Sequence, residues 1–160
     1  MKGGSNFNLG MTLTASGKAF PRSEIGLLAF SNYICGVTGT QLDTELDLAE
    51  KQFQANRDRY NTLWLAIVLM QPHAAPASNQ MALRLLNDYV NNKSAVNHRA
   101  STFMPSNDSY DVLAKFLLDS ATQRQRLIAD NTSLKQKIEK LMLIESSLNY
   151  PQAQTQVGPK

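Results

Sequence analysis

The side chains of this chain that are most able to do chemistry are a single cysteine, Cys35, and two histidines, His73 and His98. Thiolates and imidazoles bind zinc, and a thiolate beside a base can act as a nucleophile. Neither histidine has a Cys, His, Asp or Glu residue four positions away, and the neighbours of Cys35 carry no charge. We therefore predict two solvated loop histidines and a buried, unreactive Cys35 at the end of an apolar helix.

Three acidic residues, Glu45, Asp47 and Glu50, cluster at the start of a predicted helix. Paired carboxylates serve as general acid and base in hydrolases, but acids at a helix N-terminus also stabilise the helix dipole, by roughly 0.3–1 kcal/mol each. We predict the second role, with all three side chains solvated. The glycines match no phosphate-binding loop, so we predict no catalytic, metal or cofactor site. An enzyme would need a deep polar pocket near Trp64 or Tyr60.

The charge distribution argues against binding to nucleic acid. The chain of 160 residues has a net charge of +3, and its pI is about 9.1. Residues 43–107 carry six charges of each sign, and residues 108–149 again carry six of each. The positive excess lies in residues 1–42 and at Lys160, and no dense basic segment precedes the leucine repeat described below. A basic zipper requires such a segment to neutralise phosphates, so DNA binding is not expected.

Apolar periodicity predicts five helices, and no segment shows a pattern that favours a strand instead. Their starts and ends follow from N-cap residues, glycines and Pro72, and the third helix is apolar on nearly every side. The fifth runs for roughly 40 residues without proline or glycine, a length of about 60 Å, so part of it must project or find a partner. The predicted helices cover 23–35, 43–56, 58–70, 78–92 and 108–149.

The expected fold is therefore all-α: a small helical bundle of stacked hairpins followed by a long C-terminal helix with a coiled-coil seam. We expect residues 1–20 to be a flexible N-terminal segment, partly introduced for expression, and residues 21–107 to form the helical core. The long helix, 108–149, docks on the core at its start and becomes coiled coil from about residue 124. Residues 150–160 are expected to be a disordered tail.

The second half of the long helix carries a heptad repeat. Leucines recur every seven residues at position d, and Arg124, Asn131, Ile138 and Glu145 occupy position a. The charged residues at position a predict a short, marginal or asymmetric coiled coil rather than a strong homodimer. Met142, Leu143 and Ile144 make the turn beside Leu141 apolar all round, which favours a partner-facing patch. The predicted interaction residues are Leu127, Asn131, Leu134, Ile138, Leu141, Met142, Ile144 and Leu148.

Several segments together resemble a known family, the QseG-like outer-membrane lipoproteins associated with two-component sensor histidine kinases. The resemblance covers roughly residues 42–149, and its most specific part is the stretch 134–148, LKQKIEKLMLIESSL, which is similar to the closing coiled-coil motif of the family. The apolar helix in 60–70 and the helix in 82–89 contribute as well. The chain departs from the family pattern because no lipobox precedes Cys35.

This resemblance implies a non-catalytic periplasmic accessory protein that binds the extracytoplasmic sensor domain of a histidine kinase and modulates its signalling. It also implies an outer-membrane location through an N-terminal lipid anchor that this chain lacks; membrane contact by any other route is not expected. The alternative is a structural or secretion-system assembly protein that homo-oligomerises through the C-terminal helix. A homodimer through that helix is compatible with the leucine repeat.

Overall fold

The computed structural model describes residues 10–97 and 109–148. These residues form five helices and one small hairpin, which confirms the predicted all-α class and the long C-terminal helix. The chain divides into two compact units after Gln125. In chain order the elements are β1 (Met11–Leu13), β2 (Ala19–Pro21), α1 (Glu24–Ile34), α2 (Thr40–Ala55), α3 (Arg59–Leu69), α4 (Pro76–Asn97) and α5 (Ser109–Leu148).

The hairpin of β1 and β2 corrects the prediction that no strand is present. The two strands are antiparallel, with Thr12 paired to Phe20, and the side chains of Thr12 and Thr14 are buried. Phe20 packs edge-on against Trp64, with ring centroids 6.2 Å apart. Residues 11–20, predicted to belong to a flexible segment, therefore cover one side of the core.

Helix α1 begins and ends within one residue of its prediction. The Ser23 hydroxyl accepts a hydrogen bond from the Gly26 backbone N–H at 3.2 Å, as an N-cap does. A Cβ on Gly26 would overlap the Pro21 carbonyl oxygen, so the glycine allows α1 to approach β2 closely. Cys35 follows the helix and is exposed, so the prediction that its thiol is buried is wrong.

Helix α2 starts three residues before the predicted cap, Asp43. Gly39 occupies the N-cap with φ +61°, a left-handed conformation that favours glycine, and Asp43 lies in the first turn. The prediction of a solvated Glu45 is also wrong, because its side chain is fully buried. One carboxylate oxygen accepts the Ala15 backbone N–H at 3.1 Å, and the other has no hydrogen-bond partner among the described residues.

Helix α3 is the centre of the core, as its all-round apolar sequence predicts. Ten of its eleven residues are buried. The Asp58 carboxylate caps it by accepting the Asn61 backbone N–H at 2.7 Å, and it also forms an ion pair with Arg22 at 2.7 Å. Trp64 is stacked on Phe30 with ring centroids 3.6 Å apart, so the two rings fill the middle of the core.

Helix α4 is longer at both ends than predicted. It starts at Pro76, a residue suited to the first helical turn, and Ser78 is a buried residue inside the helix instead of its cap. The helix continues to Asn97, through a segment predicted as loop. His73 precedes α4 in an exposed connection, which confirms its predicted placement. His98, residues 1–9 and the predicted tail, 150–160, lie outside the described residues.

Candidate protein-interaction surface

The first part of α5 contributes one face to the core. Leu113, Ala114, Leu117 and Ala121 are buried, in the three- and four-residue spacing of a docked helix. Phe116 falls in the same spacing, three residues after Leu113, but 63% of its surface is exposed. The apolar residues of this segment therefore exceed what docking alone explains.

Arg124 anchors this docked segment to the end of α3. Its two terminal nitrogens donate to the carbonyl oxygens of Met70 and of Gln71, the second at 2.8 Å. Both carbonyls lie at the C-terminal end of α3, where a cation is favoured by the helix dipole. Arg124 is therefore committed to the core and not free to enter a coiled-coil seam, although the heptad places it at position a.

A second anchor lies beside the first on the same turn of α5. The Asn79 side-chain amide donates to the Ala121 carbonyl oxygen and to Gln125 Oε1, each at 3.1 Å. Asn79 is buried, so these bonds replace water that the amide would otherwise hold. The docked part of α5 ends at these contacts.

Beyond Gln125 the side chains of α5 are exposed, apart from the partly buried Ile128. The leucines at position d keep their seven-residue spacing on a continuous helix, as predicted. Between 55% and 78% of the surface is exposed for eight large apolar side chains: Leu127, Leu134, Ile138, Leu141, Met142, Leu143, Ile144 and Leu148. We call these residues, together with the exposed Asn131, the distal seam.

All eight predicted interaction residues lie in the distal seam. Seven of them are apolar and exposed, and the eighth, Asn131, is polar and exposed. Large apolar patches that are exposed to water are typical of protein-interaction sites. The turn from Leu141 to Ile144 is apolar on every side, which is more than a narrow a/d stripe requires. The distal seam can bury apolar surface against a helix, and none of its side chains can act as an acid, a base or a nucleophile. Glu145 occupies position a between Leu141 and Leu148 and is the one carboxylate in the row of a and d positions from 127 to 148.

A smaller apolar groove, which our sequence analysis missed, lies in the first unit between α1 and the start of α5. Its volume is about 540 Å³. It combines exposed Leu28, Val112 and Phe116 with the carboxylate of Glu24 and the hydroxyl of Ser109. The signal in the sequence was the surplus of apolar residues at the start of α5, since one docked face does not need both Val112 and Phe116.

The groups considered for catalysis do not converge. Among the residues that the structure describes, no three His, Cys, Asp or Glu side chains are grouped as a metal site. Trp64 and Tyr60, proposed above as the markers of an enzyme pocket, are buried in the core. Burial raises the pKa of Tyr60 to about 12, against weaker opposing effects of Thr12 and Arg22. Such a phenol is neutral and structural.

No protein-family model, curated protein or solved structure matches the chain. The resemblance to the QseG-like lipoproteins therefore stays a prediction made from the motifs in 42–149. None of the described helices is long and apolar enough to span a membrane.

Proposed function

We propose that this chain is a non-catalytic accessory protein that binds another protein through the distal seam. The observation that carries the proposal is the exposure of eight large apolar side chains on one 23-residue stretch of helix, 126–148. Exposed apolar area contributes about 25 cal/mol per Å² when it is covered, so a face of this extent is a strong driving force for association. A helix laid along another helix is the geometry that heptad spacing favours.

The proposed partner is the extracytoplasmic sensor domain of a histidine kinase, with a periplasmic location at the outer membrane. This part of the proposal rests on the resemblance of the stretch 134–148 to the closing motif of the QseG-like lipoproteins. Binding there would modulate two-component signalling without any chemistry on the accessory itself. The balanced charge of residues 108–149 suits contact with protein.

A double substitution at position d tests the surface. We expect Leu134→Lys with Leu141→Lys to abolish binding to immobilised sensor domains of the histidine kinases encoded in the same genome. Ala129→Lys with Gln136→Lys is the matched control, because these two exposed residues are also seven apart but lie on the opposite side of the helix. The control should bind as the unchanged chain does, and both variants should keep the thermal transition of the first unit.

Retained binding by the Leu134 and Leu141 variant would exclude the distal seam as the docking surface. Loss of binding in both double variants would mean that added charge, rather than position, prevents association. If no sensor domain binds the unchanged chain at all, the assignment of a kinase as the partner fails.

The second candidate function is that of a structural or secretion-system assembly protein that homo-oligomerises through α5. The seven-residue spacing of the exposed leucines favours it, since identical helices can interlock along such a repeat. Light scattering of the purified chain separates the two functions. Large assemblies that form without any other protein would favour the second.

A further inference from the structure

The distal seam has features that fit a second copy of itself. We propose that the chain forms a parallel, in-register, two-stranded coiled coil through residues 127–148. This inference concerns the purified chain alone, so it holds or fails independently of any kinase. It also differs from open-ended assembly, because a two-stranded coil closes after two copies.

The residues at the core positions favour two strands. Position d holds leucine in every heptad from Leu127 to Leu148, and position a holds the β-branched Ile138 in the middle. A β-branched residue at a with leucine at d favours a two-stranded over a three- or four-stranded coil. Asn131, also at a, would face its own copy, where paired amides fix the register of parallel dimers.

The charges that flank the seam favour the parallel orientation. In a parallel pair, Asp130 at position g lies opposite Lys135 at position e of the second copy, and the contact occurs twice. In an antiparallel pair that uses all four leucines, Lys135 would face Lys135 and Lys137 would face Lys137. Opposite charges thus meet in the parallel pair, whereas like charges meet in the antiparallel pair. Asp130 and Lys135 are five residues apart and do not pair within one helix.

The contacts of Arg124 set the start of the coil. Its guanidinium is bonded to the Met70 and Gln71 carbonyl oxygens, so the first free core position is Leu127. About three heptads remain, with Glu145 facing its own copy at position a. A coil of that length with one repulsive layer associates weakly, so we expect a monomer–dimer equilibrium in the micromolar range. Leu143, at position f, stays on the outside of the pair and remains open to another protein.

Charge-exchange variants test the pairing. Sedimentation equilibrium of the unchanged chain at low salt should show a monomer–dimer equilibrium. Lys135→Glu or Asp130→Lys alone should raise the dissociation constant by about tenfold, roughly threefold for each of two pairs. The double variant should return to within about twofold of the unchanged chain, because the attraction is restored with its signs reversed. Lys140→Glu, the same charge change at outer position c, is the matched control and should have little effect.

Cross-linking tests the orientation. In a Cys35→Ser background, Asn131→Cys places two thiols in one layer only if the strands are parallel and in register. Mild oxidation should then yield a covalent dimer, whereas cysteine placed at exposed Gln136 should not. A chain that stays monomeric, a dimer that does not cross-link through position 131, or a charge-exchanged double variant no tighter than the single variants would each overturn the proposal.

Discussion

Replacing Arg124 by leucine distinguishes between two possible roles of this residue, in a coiled coil and in the core. The heptad repeat places Arg124 at a core position of a coiled coil, where leucine would strengthen association. In the structure the same side chain instead holds the carbonyl oxygens of Met70 and Gln71 at the end of α3. Arg124→Leu should therefore destabilise the fold, and should do so whether or not the chain self-associates.

The size of the effect follows from the two hydrogen bonds. A hydrogen bond to a charged group contributes about 1.5–3 kcal/mol, and Arg124 is only partly buried, which reduces its value. Removing both bonds and leaving two helix-terminal carbonyls with water alone should lower the free energy of unfolding by about 2–3 kcal/mol. For a chain of this size each kcal/mol moves Tm by about 2–4 °C, so Tm should fall by about 4–12 °C.

The assay is thermal and urea unfolding followed by far-UV circular dichroism at a concentration where the chain is monomeric. Arg126→Leu is the control, because Arg126 is exposed and lies at outer position c, and its substitution should leave Tm within about 1 °C. An unchanged or higher Tm for Arg124→Leu, accompanied by tighter self-association, would refute the assignment of Arg124 to the core.

Three further outcomes are expected. Gly26→Ala should lower the free energy of unfolding in urea by about 3 kcal/mol or more, because the new methyl group overlaps the backbone of β2. Gly36→Ala is the control, because a Cβ there would meet only the Tyr33 carbonyl oxygen, at 3.8 Å. The raised pKa of Tyr60, about 12 against 10 when unfolded, stabilises the fold below pH 10 and ceases to do so as pH rises through 12. Between pH 10 and pH 12 the free energy of unfolding should therefore fall by up to about 2.7 kcal/mol because of Tyr60. Tyr60→Phe should lack this contribution, so urea unfolding of that variant should show a pH-dependent loss smaller by the same amount. Glu145→Ile should lower the dissociation constant of the coiled coil at least tenfold, measured by sedimentation, because it removes the repulsive core layer.

The helices could be predicted because their signals are local. The N-caps Ser23 and Asp58 act through hydrogen bonds to backbone within three residues, so their sequence neighbours suffice to identify them. The all-round burial of α3 likewise follows from its own composition. The start of α2 was misplaced because Gly39, usually a helix terminator, serves as its N-cap.

The hairpin and Glu45 could not be predicted for a different reason. Strands of three residues are too short to show an alternation, and they are held in place by contacts with residues far away in the sequence. Glu45 looked like a helix-dipole acid because the backbone of Ala15, its hydrogen-bond donor, is thirty residues earlier. The exposure of Cys35 is likewise decided by packing around the end of α1 and not by its apolar neighbours.

For the candidate surface, the heptad spacing predicted which apolar residues share one side of α5, but not where the exposed part of that side begins. The heptad runs through Arg124 without a break, and only the contacts with Met70 and Gln71 show that this position belongs to the core. The groove at Val112 and Phe116 was missed because apolar residues on a docked helix are ordinarily assigned to the buried face. In both cases the missing information is which neighbour each side of α5 contacts.

The distal part of α5 is a helix that would gain stability if its surface were covered. Most helices in proteins owe their stability to packing of an apolar face, and isolated helices of about this length are marginal in water. Residues 129–148 expose every side chain, so packing against the rest of the described residues does not stabilise them. They also include the β-branched Thr132, Ile138 and Ile144, which have no more than moderate helix propensity. Such a helix, apolar on its surface and marginally stable in isolation, gains twice from association. Covering the distal seam removes exposed apolar area from water, and it also supplies the packing that the helix lacks.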